Sequence, residues 1–106
     1  MSLELNSIVK LVRLTRERTA MYIGGNSIIQ MKAFIDGWLF SGIEVTDKSI
    51  LDEFQLWIQS TYRITSNQSW DRIILFYSTD SFEALENFFK LFEEFLSERS
   101  DGSSNI

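Results

Sequence analysis

The amino-acid sequence predicts an all-α fold, a single-domain bundle of about five helices, on three observations. Proline is absent, apolar residues recur at intervals of three and four, and the alternating pattern typical of strands is scarce. With 106 residues, of which 44% are hydrophobic and 14% aromatic, the chain can bury a core without disulfides. We therefore expect one helical domain over residues 1–99. A flexible tail is expected over residues 100–106, because residues 100–105 have no large apolar side chain to bury.

The first helix is expected over residues 7–14, where apolar side chains recur at helical spacing. A strand is the alternative, because β-branched residues in this segment lower helix propensity. Arg16 and Arg18 follow near the negative C-terminal end of the helix dipole, and we expect both to pair with carboxylates of the C-terminal half. Gly24-Gly25 then tolerate the positive φ of a tight turn.

The central helix is expected near residues 27–42. Asn26 or Ser27 would be its N-cap, and Gly42 its C-terminal stop. Apolar residues cover most of its circumference, so we expect other elements to surround it almost completely. The exception is a strip of small residues that would let another backbone approach closely: Ala33, Gly37 and Ser41.

The third and fourth helices have less certain starts. Ser49 and Asp52 resemble a capping box, which predicts a helix over residues 50–62 with one apolar face. After a polar loop, Ser69 can cap a short helix over residues 70–77. This last segment is also good strand material, because it is rich in β-branched and aromatic residues.

The last helix has the most regular pattern. Asp80 and Glu83 form a second capping box, and apolar residues recur at three and four as far as Leu96. The phenylalanines of this helix could line a ligand pocket, but Phe at helical spacing is far more often core. We therefore expect this helix to pack across the central one through its aromatic stripe.

Composition argues against catalysis. Cysteine and histidine are both absent, which removes the usual ligands of transition metals and the commonest acid/base group near neutral pH. The pair of carboxylates that glycoside hydrolysis needs is not recognisable, and neither phosphate-binding glycine pattern is present. We expect no enzymatic activity, no metal and no cofactor.

The sequence also predicts a cytoplasmic location. No apolar run approaches the length of about 20 residues that a membrane span needs. Met1 is followed by Ser2-Leu3-Glu4 rather than by the basic and apolar regions of a signal peptide.

Charge is distributed unevenly along the chain. The net charge is −5; residues 1–50 hold six Lys/Arg and five Asp/Glu, and residues 51–106 hold four and ten. The acidic half would repel a phosphate backbone, although Arg13, Arg16 and Arg18 form a small basic cluster, so direct nucleic-acid binding is disfavoured. A basic protein partner fits this charge better.

Clustered carboxylates are the candidate binding residues. An acidic helix face is more often simply solvated surface, but like charges held together cost stability, and a basic partner would offset that cost. The candidates, chosen on charge alone, are Asp52, Glu53, Glu83, Glu86, Glu93 and Glu94.

Residues 18–24 resemble the Arg-Pro-Gly-Met-Tyr-Ile-Gly stretch of the ATPase domain of gyrase B and its relatives. This resemblance does not extend to function. Thr19 and Ala20 replace proline and glycine, the nucleotide-binding patterns are missing, and the chain is about half the length that such a domain needs. We therefore reject nucleotide hydrolysis.

A longer stretch of the chain is similar to a family of small bacterial immunity proteins of contact-dependent inhibition and polymorphic-toxin systems. Their pattern begins with Arg-Pro-x-Met-Tyr-Ile/Leu-Gly-Gly, from which Thr19 departs by replacing proline. The segments that correspond, in order, are residues 18–25, Ser27, residues 34–38, residues 54–57, Ser69-Trp70 with Ile73-Ile74, and residues 84–95.

The resemblance implies a protein that binds a cognate toxin, often a nuclease, and covers its active site. We expect a monomer that binds a basic toxin domain, with neither membrane nor nucleic acid as a partner. One alternative is an adaptor or a domain that associates with its own copy through the small-residue strip or exposed aromatic residues. Another is an enzyme that works through Asp or Glu, which would need perturbed carboxylates in a concave site.

Overall fold

The computed structural model describes residues 7–19, 25–40 and 45–104, and within these ranges it contains five α-helices and no strand. The all-α fold is therefore confirmed. Gly24, Ser41 of the small-residue strip and the predicted helix stop at Gly42 lie outside the described residues. In chain order the helices are α1 (Ser7–Glu17), α2 (Ile28–Phe40), α3 (Val45–Thr61), α4 (Trp70–Phe76) and α5 (Ser81–Ser104).

The starts of α1 and α2 agree with the sequence. α1 is a helix rather than the alternative strand, and one of its faces is buried through Ile8, Val9 and Val12. The predicted cap of α2 is also present: the backbone N–H of Ile29 donates to Ser27 Oγ at 3.1 Å. Ser27 thus satisfies one of the N–H groups that a helix start leaves without an intrahelical acceptor.

The predicted start of α3 is wrong. The helix begins at Val45, so Ser49 lies inside it and does not cap it. Asp52 instead accepts a hydrogen bond from Lys48 Nζ, at 3.4 Å, four residues earlier on the same helix. A serine followed three residues later by an acidic residue can occur within a helix when the acidic residue has an i,i−4 partner of opposite charge.

α4 is a helix and not the alternative strand. Trp70, Ile73 and Ile74 are buried, and their spacing of three and four places them on one helix face. Ser69 occupies the N-cap position but makes no side-chain hydrogen bond there. Gln55 of α3 takes over that role, because its Oε1 accepts from the backbone N–H of Trp70 at 2.7 Å.

The start of α5 confirms the second capping box. Asp80 Oδ1 accepts the backbone N–H groups of Phe82 at 3.0 Å and Glu83 at 2.8 Å. Glu83 reaches back one residue further than expected, to the N–H of Thr79 at 2.8 Å and its hydroxyl at 3.0 Å. Asp80 and Glu83 thus accept backbone N–H groups that have no acceptor within the helix.

The C-terminal end of α5 differs from the prediction. The helix continues to Ser104, so residues 100–104 are helical, while the flexibility expected of residues 100–106 stays a prediction. Helical hydrogen bonding can extend beyond the last buried side chain, since each added residue contributes one backbone bond after the helix has nucleated.

The core is organised around Phe54 of α3, whose side chain is completely buried. Five aromatic rings lie with centroids between 5.2 and 6.2 Å from its own, four of them edge-on. Those rings belong to Trp57, Trp70, Phe88, Phe92 and Phe95. Three of the five come from α5, which confirms that its phenylalanine stripe is core.

α2 packs against α5 as expected, but it is not surrounded. Ile28, Met31 and Ile35 are buried on its inner side, whereas Ile29 is 59% exposed and Phe40 is 93% exposed. The helix that contacts all four others is α5. α2 lies at the edge of the bundle, and apolar side chains around most of a helix do not by themselves bring a neighbour to every side.

Candidate functional site

The six candidate carboxylates lie on two helices. Asp52 and Glu53 are on α3, and the other four are on α5. Spacings of three, seven and one residues place the α5 carboxylates on one side of that helix. We call this side the acidic face: Glu83, Glu86, Glu93 and Glu94. Glu93 is half-buried and the other three are exposed.

Glu93 is paired across helices. Arg13 of α1 donates from Nε at 2.8 Å and from Nη2 at 2.9 Å to its two carboxylate oxygens. These hydrogen bonds are the largest cause of a lowered pKa at Glu93; burial opposes them, and the positive charges of Arg13 and Arg16 add to the lowering. The same bonds raise the pKa of Arg13.

The expectation that Arg16 and Arg18 pair with carboxylates of the C-terminal half is wrong among the described residues. Arg13, not Arg16, makes the ion pair, while the Arg16 guanidinium lies 5.8 Å from the centre of the Phe89 ring. Among the described residues, Arg18 makes no ion pair with a carboxylate. Which arginine reaches the carboxylate depends on how α1 crosses α5, and sequence spacing within α1 does not contain that information.

Three more candidates are already engaged. Glu53 accepts from Arg99 Nε at 2.7 Å, Asp52 pairs with Lys48, and Glu83 holds the start of α5. Only Glu86 and Glu94 among the six make no hydrogen bond or ion pair with any described residue. Within the described residues, these two carboxylates have no ion-pair partner that would compete with a binding protein.

A groove adjoins the acidic face at the start of α5. Its volume is about 630 Å³, and Glu83 and Glu86 line it together with Asp80 and Phe82. Phe82 is 61% exposed, so an open aromatic ring lies among carboxylates. Leu85 of α5 also lines it, as do Thr19 and Asn26 from the region between α1 and α2.

An exposed aromatic surface adjoins the other end of the acidic face. We define it by Tyr62, Phe76 and Tyr77: the two tyrosine rings are stacked with centroids 4.6 Å apart, and Phe76 meets Tyr77 edge-on at 5.1 Å. Phe76 and Tyr77 are both at least half exposed. Burial is the largest cause of the raised pKa of Tyr62, and the negative charge of Glu94 adds to it.

The chemistry of these groups suits binding. Within the described residues, no three acidic side chains are close enough together to hold a metal ion. The lowered pKa of Glu93 has an ion pair as its main cause, which is a structural arrangement rather than that of a proton-transfer group. Exposed aromatic rings such as that of Phe82 are enriched at protein contact surfaces, whereas Asp and Glu are depleted there, so the carboxylates fit a contact only with a basic group opposite them.

Comparisons with other proteins add no relative. The sequence matches no known protein family, and neither a curated protein nor a solved structure shows significant similarity to it. None of the described helices has both the length and the apolar character needed to cross a bilayer.

Sequence reasoning missed the exposed aromatic residues. It placed Phe82 with the core phenylalanines, although Phe82 is 61% exposed. Tyr62, predicted on the apolar face of α3, is partly buried and packs against the core as expected. The available signal was position, because Phe82 lies in the first turn of α5, directly after the cap. A side chain in the first turn has fewer neighbours to cover it than one in the middle of the helix.

Proposed function

We propose that this chain is a non-catalytic binding protein that attaches to a basic protein partner through the acidic face. Its role would be that of an immunity protein, which neutralises a cognate toxin domain such as a nuclease. The observation that carries the proposal is the pairing of each unengaged carboxylate with an exposed aromatic group: Glu86 with Phe82, and Glu94 with the aromatic surface of Tyr62, Phe76 and Tyr77.

Aromatic residues in this setting are typical anchors of protein interfaces. Tyrosine and tryptophan are enriched among the side chains whose truncation costs most binding energy, and polar groups commonly surround them. Phe82 and Tyr77 can bury apolar area on binding, while Glu86 and Glu94 select a partner with Lys or Arg opposite them. The ion pairs of Glu93 and Glu53 contribute less, because their charges are already compensated within the chain.

The proposed mechanism of neutralisation is occlusion. A nuclease binds the phosphates of its substrate with a cationic surface, and an acidic face can occupy that surface in place of the nucleic acid. Opposite charges also accelerate encounter between the two proteins, and salt reduces this acceleration. The resemblance of residues 18–25 to immunity proteins supports a toxin as the basic partner.

The test requires the partner itself. The first candidate is the C-terminal domain of a large secreted protein encoded by the neighbouring upstream reading frame. It should co-purify with this chain and lose its toxic activity in the complex. The variant Glu86→Lys/Glu94→Lys should bind at least about tenfold more weakly and show a shallower salt dependence.

Glu17→Lys is the matched control, because Glu17 is exposed on α1 and lies outside the acidic face. It is compared with Glu86→Lys and Glu94→Lys as single variants, because each of the three replaces one negative charge by one positive charge. Glu17→Lys should leave affinity nearly unchanged. Unaltered affinity of the double variant would reject the acidic face as the contact, whereas failure of the two proteins to bind would reject the immunity role itself.

A further inference from the structure

The outer face of α2 is apolar and uncovered. It is formed by Ile29, Ala33, Asp36, Gly37 and Phe40, all of which are exposed. Phe40 is 93% exposed and Ile29 is 59% exposed, and a Cβ added at Gly37 would meet nothing within 4 Å. Large apolar side chains therefore lie towards both ends of this face, with small ones between them.

The order of residues along this face is self-complementary. In an antiparallel pair of identical helices, residues whose numbers have the same sum face each other across the two-fold axis. The pairs Ile29/Phe40 and Ala33/Asp36 both sum to 69, and Ala33/Gly37 sums to 70. An axis between residues 34 and 35 therefore places large beside large and small beside small, which lets the two backbones approach closely.

A depression lies where the second copy would place its Phe40. It has a volume of about 590 Å³; Ile29, Leu75 and Phe76 form the apolar part of its lining, and Gln68, Asp71 and Arg72 form the polar part. Because Ile29 faces Phe40 of the second copy in this arrangement, each Phe40 ring can enter the depression of the other copy. The two-fold symmetry provides this contact twice.

Charges on the same face are complementary as well. Lys32 Nζ lies 2.7 Å from Asp36 Oδ2 within one chain, and about half of the Asp36 side chain is exposed. In the register with its axis between residues 34 and 35, Lys32 and Asp36 of the second copy are offset by one residue, about 1.5 Å along the helix. Each lysine side chain can therefore also reach the aspartate of the second copy. The paired helices would then hold four charges of alternating sign beside the apolar contact.

We propose that two copies of this chain form a symmetric homodimer through antiparallel contact of their α2 helices, with each Phe40 in the depression beside Ile29 of the other copy. This dimer differs from the monomer that the sequence led us to expect. It uses no residue of the acidic face, but it shares Phe76 with the aromatic surface. The residues changed in its tests, Phe40, Lys32 and Asp36, lie outside both surfaces, so it goes beyond the binding function proposed above and is tested separately. A contact built on one helix is small, which corresponds to weak association.

The first experiment is sedimentation equilibrium of the full chain from about 5 to 500 µM, a range that covers micromolar dissociation constants. The mean mass should rise from the 12.4 kDa of one chain towards twice that value. Phe40→Ser should weaken association at least about tenfold. Leu56→Ser is the matched control, since Leu56 is an exposed apolar residue of α3, 67% exposed, and should leave association unchanged.

The second experiment distinguishes the geometry from a general loss of apolar surface. Lys32→Asp and Asp36→Lys each place like charges opposite each other in the dimer, so each variant alone should associate less than the natural chain. An equimolar mixture should regain association, because the aspartate introduced in one variant would face the lysine introduced in the other. Thermal unfolding followed by circular dichroism checks that each variant is folded.

A constant mass of one chain up to 500 µM, a range chosen for weak dimers, would overturn the proposal. Association that is unchanged by Phe40→Ser would also overturn the proposal, because the dimer would then form through another face. Loss of association in the mixture of charge variants would contradict the antiparallel register.

Discussion

Phe54 and Phe40 both lie on apolar helix faces, yet their surroundings are opposite. Phe54 of α3 is completely buried, with five aromatic rings around it, whereas Phe40 at the end of α2 is 93% exposed. α3 is covered by α4 and α5 along the side that carries Phe54. α2 is covered on one side only, and its outer face remains open.

The difference shows that apolar spacing predicts a helix face but not what covers it. Both helices have enough apolar residues for burial, so composition alone would treat them alike. Coverage depends on where neighbouring helices lie. The enclosed face provides stability, while the open face is available for contact with another molecule.

The largest expected effect tests this comparison directly. Phe54→Ala should lower the free energy of unfolding by about 3–5 kcal/mol, because it removes buried contacts and leaves a cavity. Phe40→Ala should change it by less than about 0.5 kcal/mol, as expected for an exposed site. Urea denaturation at low micromolar protein concentration measures both without interference from association.

A loss of stability at Phe40→Ala comparable with that at Phe54→Ala would break the comparison, because it would mean that α2 is covered on both sides. A small loss at Phe54→Ala would instead show that the aromatic cluster can collapse into the space left by the ring.

A smaller effect concerns the N-terminal caps of α4 and α5, the two helices that cover Phe54. Asp80→Ala should lower the free energy of unfolding by about 1 kcal/mol, because Asp80 accepts two backbone N–H groups at the start of α5. Ser69→Ala is the matched control, since Ser69 has the same position before α4 but makes no side-chain cap bond. Ser69→Ala should lower the free energy of unfolding by clearly less than Asp80→Ala, and the urea midpoints of the two variants measure this difference. Equal costs would show that the bonds to Asp80 contribute nothing measurable.

The smallest effect concerns the ion pair that ties α1 to α5 at the edge of the enclosed core. The pKa of Glu93 is lowered below its usual value of 4.5, so the stabilisation is present above that pH and is lost as pH falls through the folded-state pKa. The side chains of Arg13 and Glu93 are 55% and 37% exposed, so solvent screening limits the contribution to less than about 1 kcal/mol.

The measurement compares the natural chain with Glu93→Gln. The difference in unfolding free energy should be largest at about pH 7 and should decrease as the pH falls through the folded-state pKa of Glu93, which lies below 4.5. Glu86→Gln serves as the control, because its carboxylate makes no bond with a described residue, and it should show a smaller difference. A difference in unfolding free energy between the natural chain and Glu93→Gln that persists in acid would show that Glu93 acts through packing instead.

Local signals predicted much of the fold. The cap at Ser27 and the capping box at Asp80 are present because their hydrogen bonds join residues two to four positions apart. The same kind of signal failed at Ser49, where a serine and an aspartate at the right spacing lie inside α3. The extension of α5 to Ser104 was missed because helical hydrogen bonding needs no apolar residue to continue.

The candidate site was less predictable. Charge identified six carboxylates, but the sequence could not tell which were already paired. Glu93 pairs with Arg13, which is 80 residues away in the sequence, and Glu53 pairs with Arg99, which is 46 residues away. Such pairs depend on the crossing of helices and leave no periodic trace in the chain.

The sequence by itself determined the all-α class, the number of helices, the caps of α2 and α5 and the aromatic content of the core. These features follow from interactions within one or two helical turns, which are encoded by neighbouring residues. Only the tertiary structure decided that α5 contacts the four other described helices, that Phe40 and Phe82 are exposed, and that Glu86 and Glu94 pair with no described residue. Burial and ion pairing depend on which segments meet in space, and that arrangement is a property of the whole packed chain.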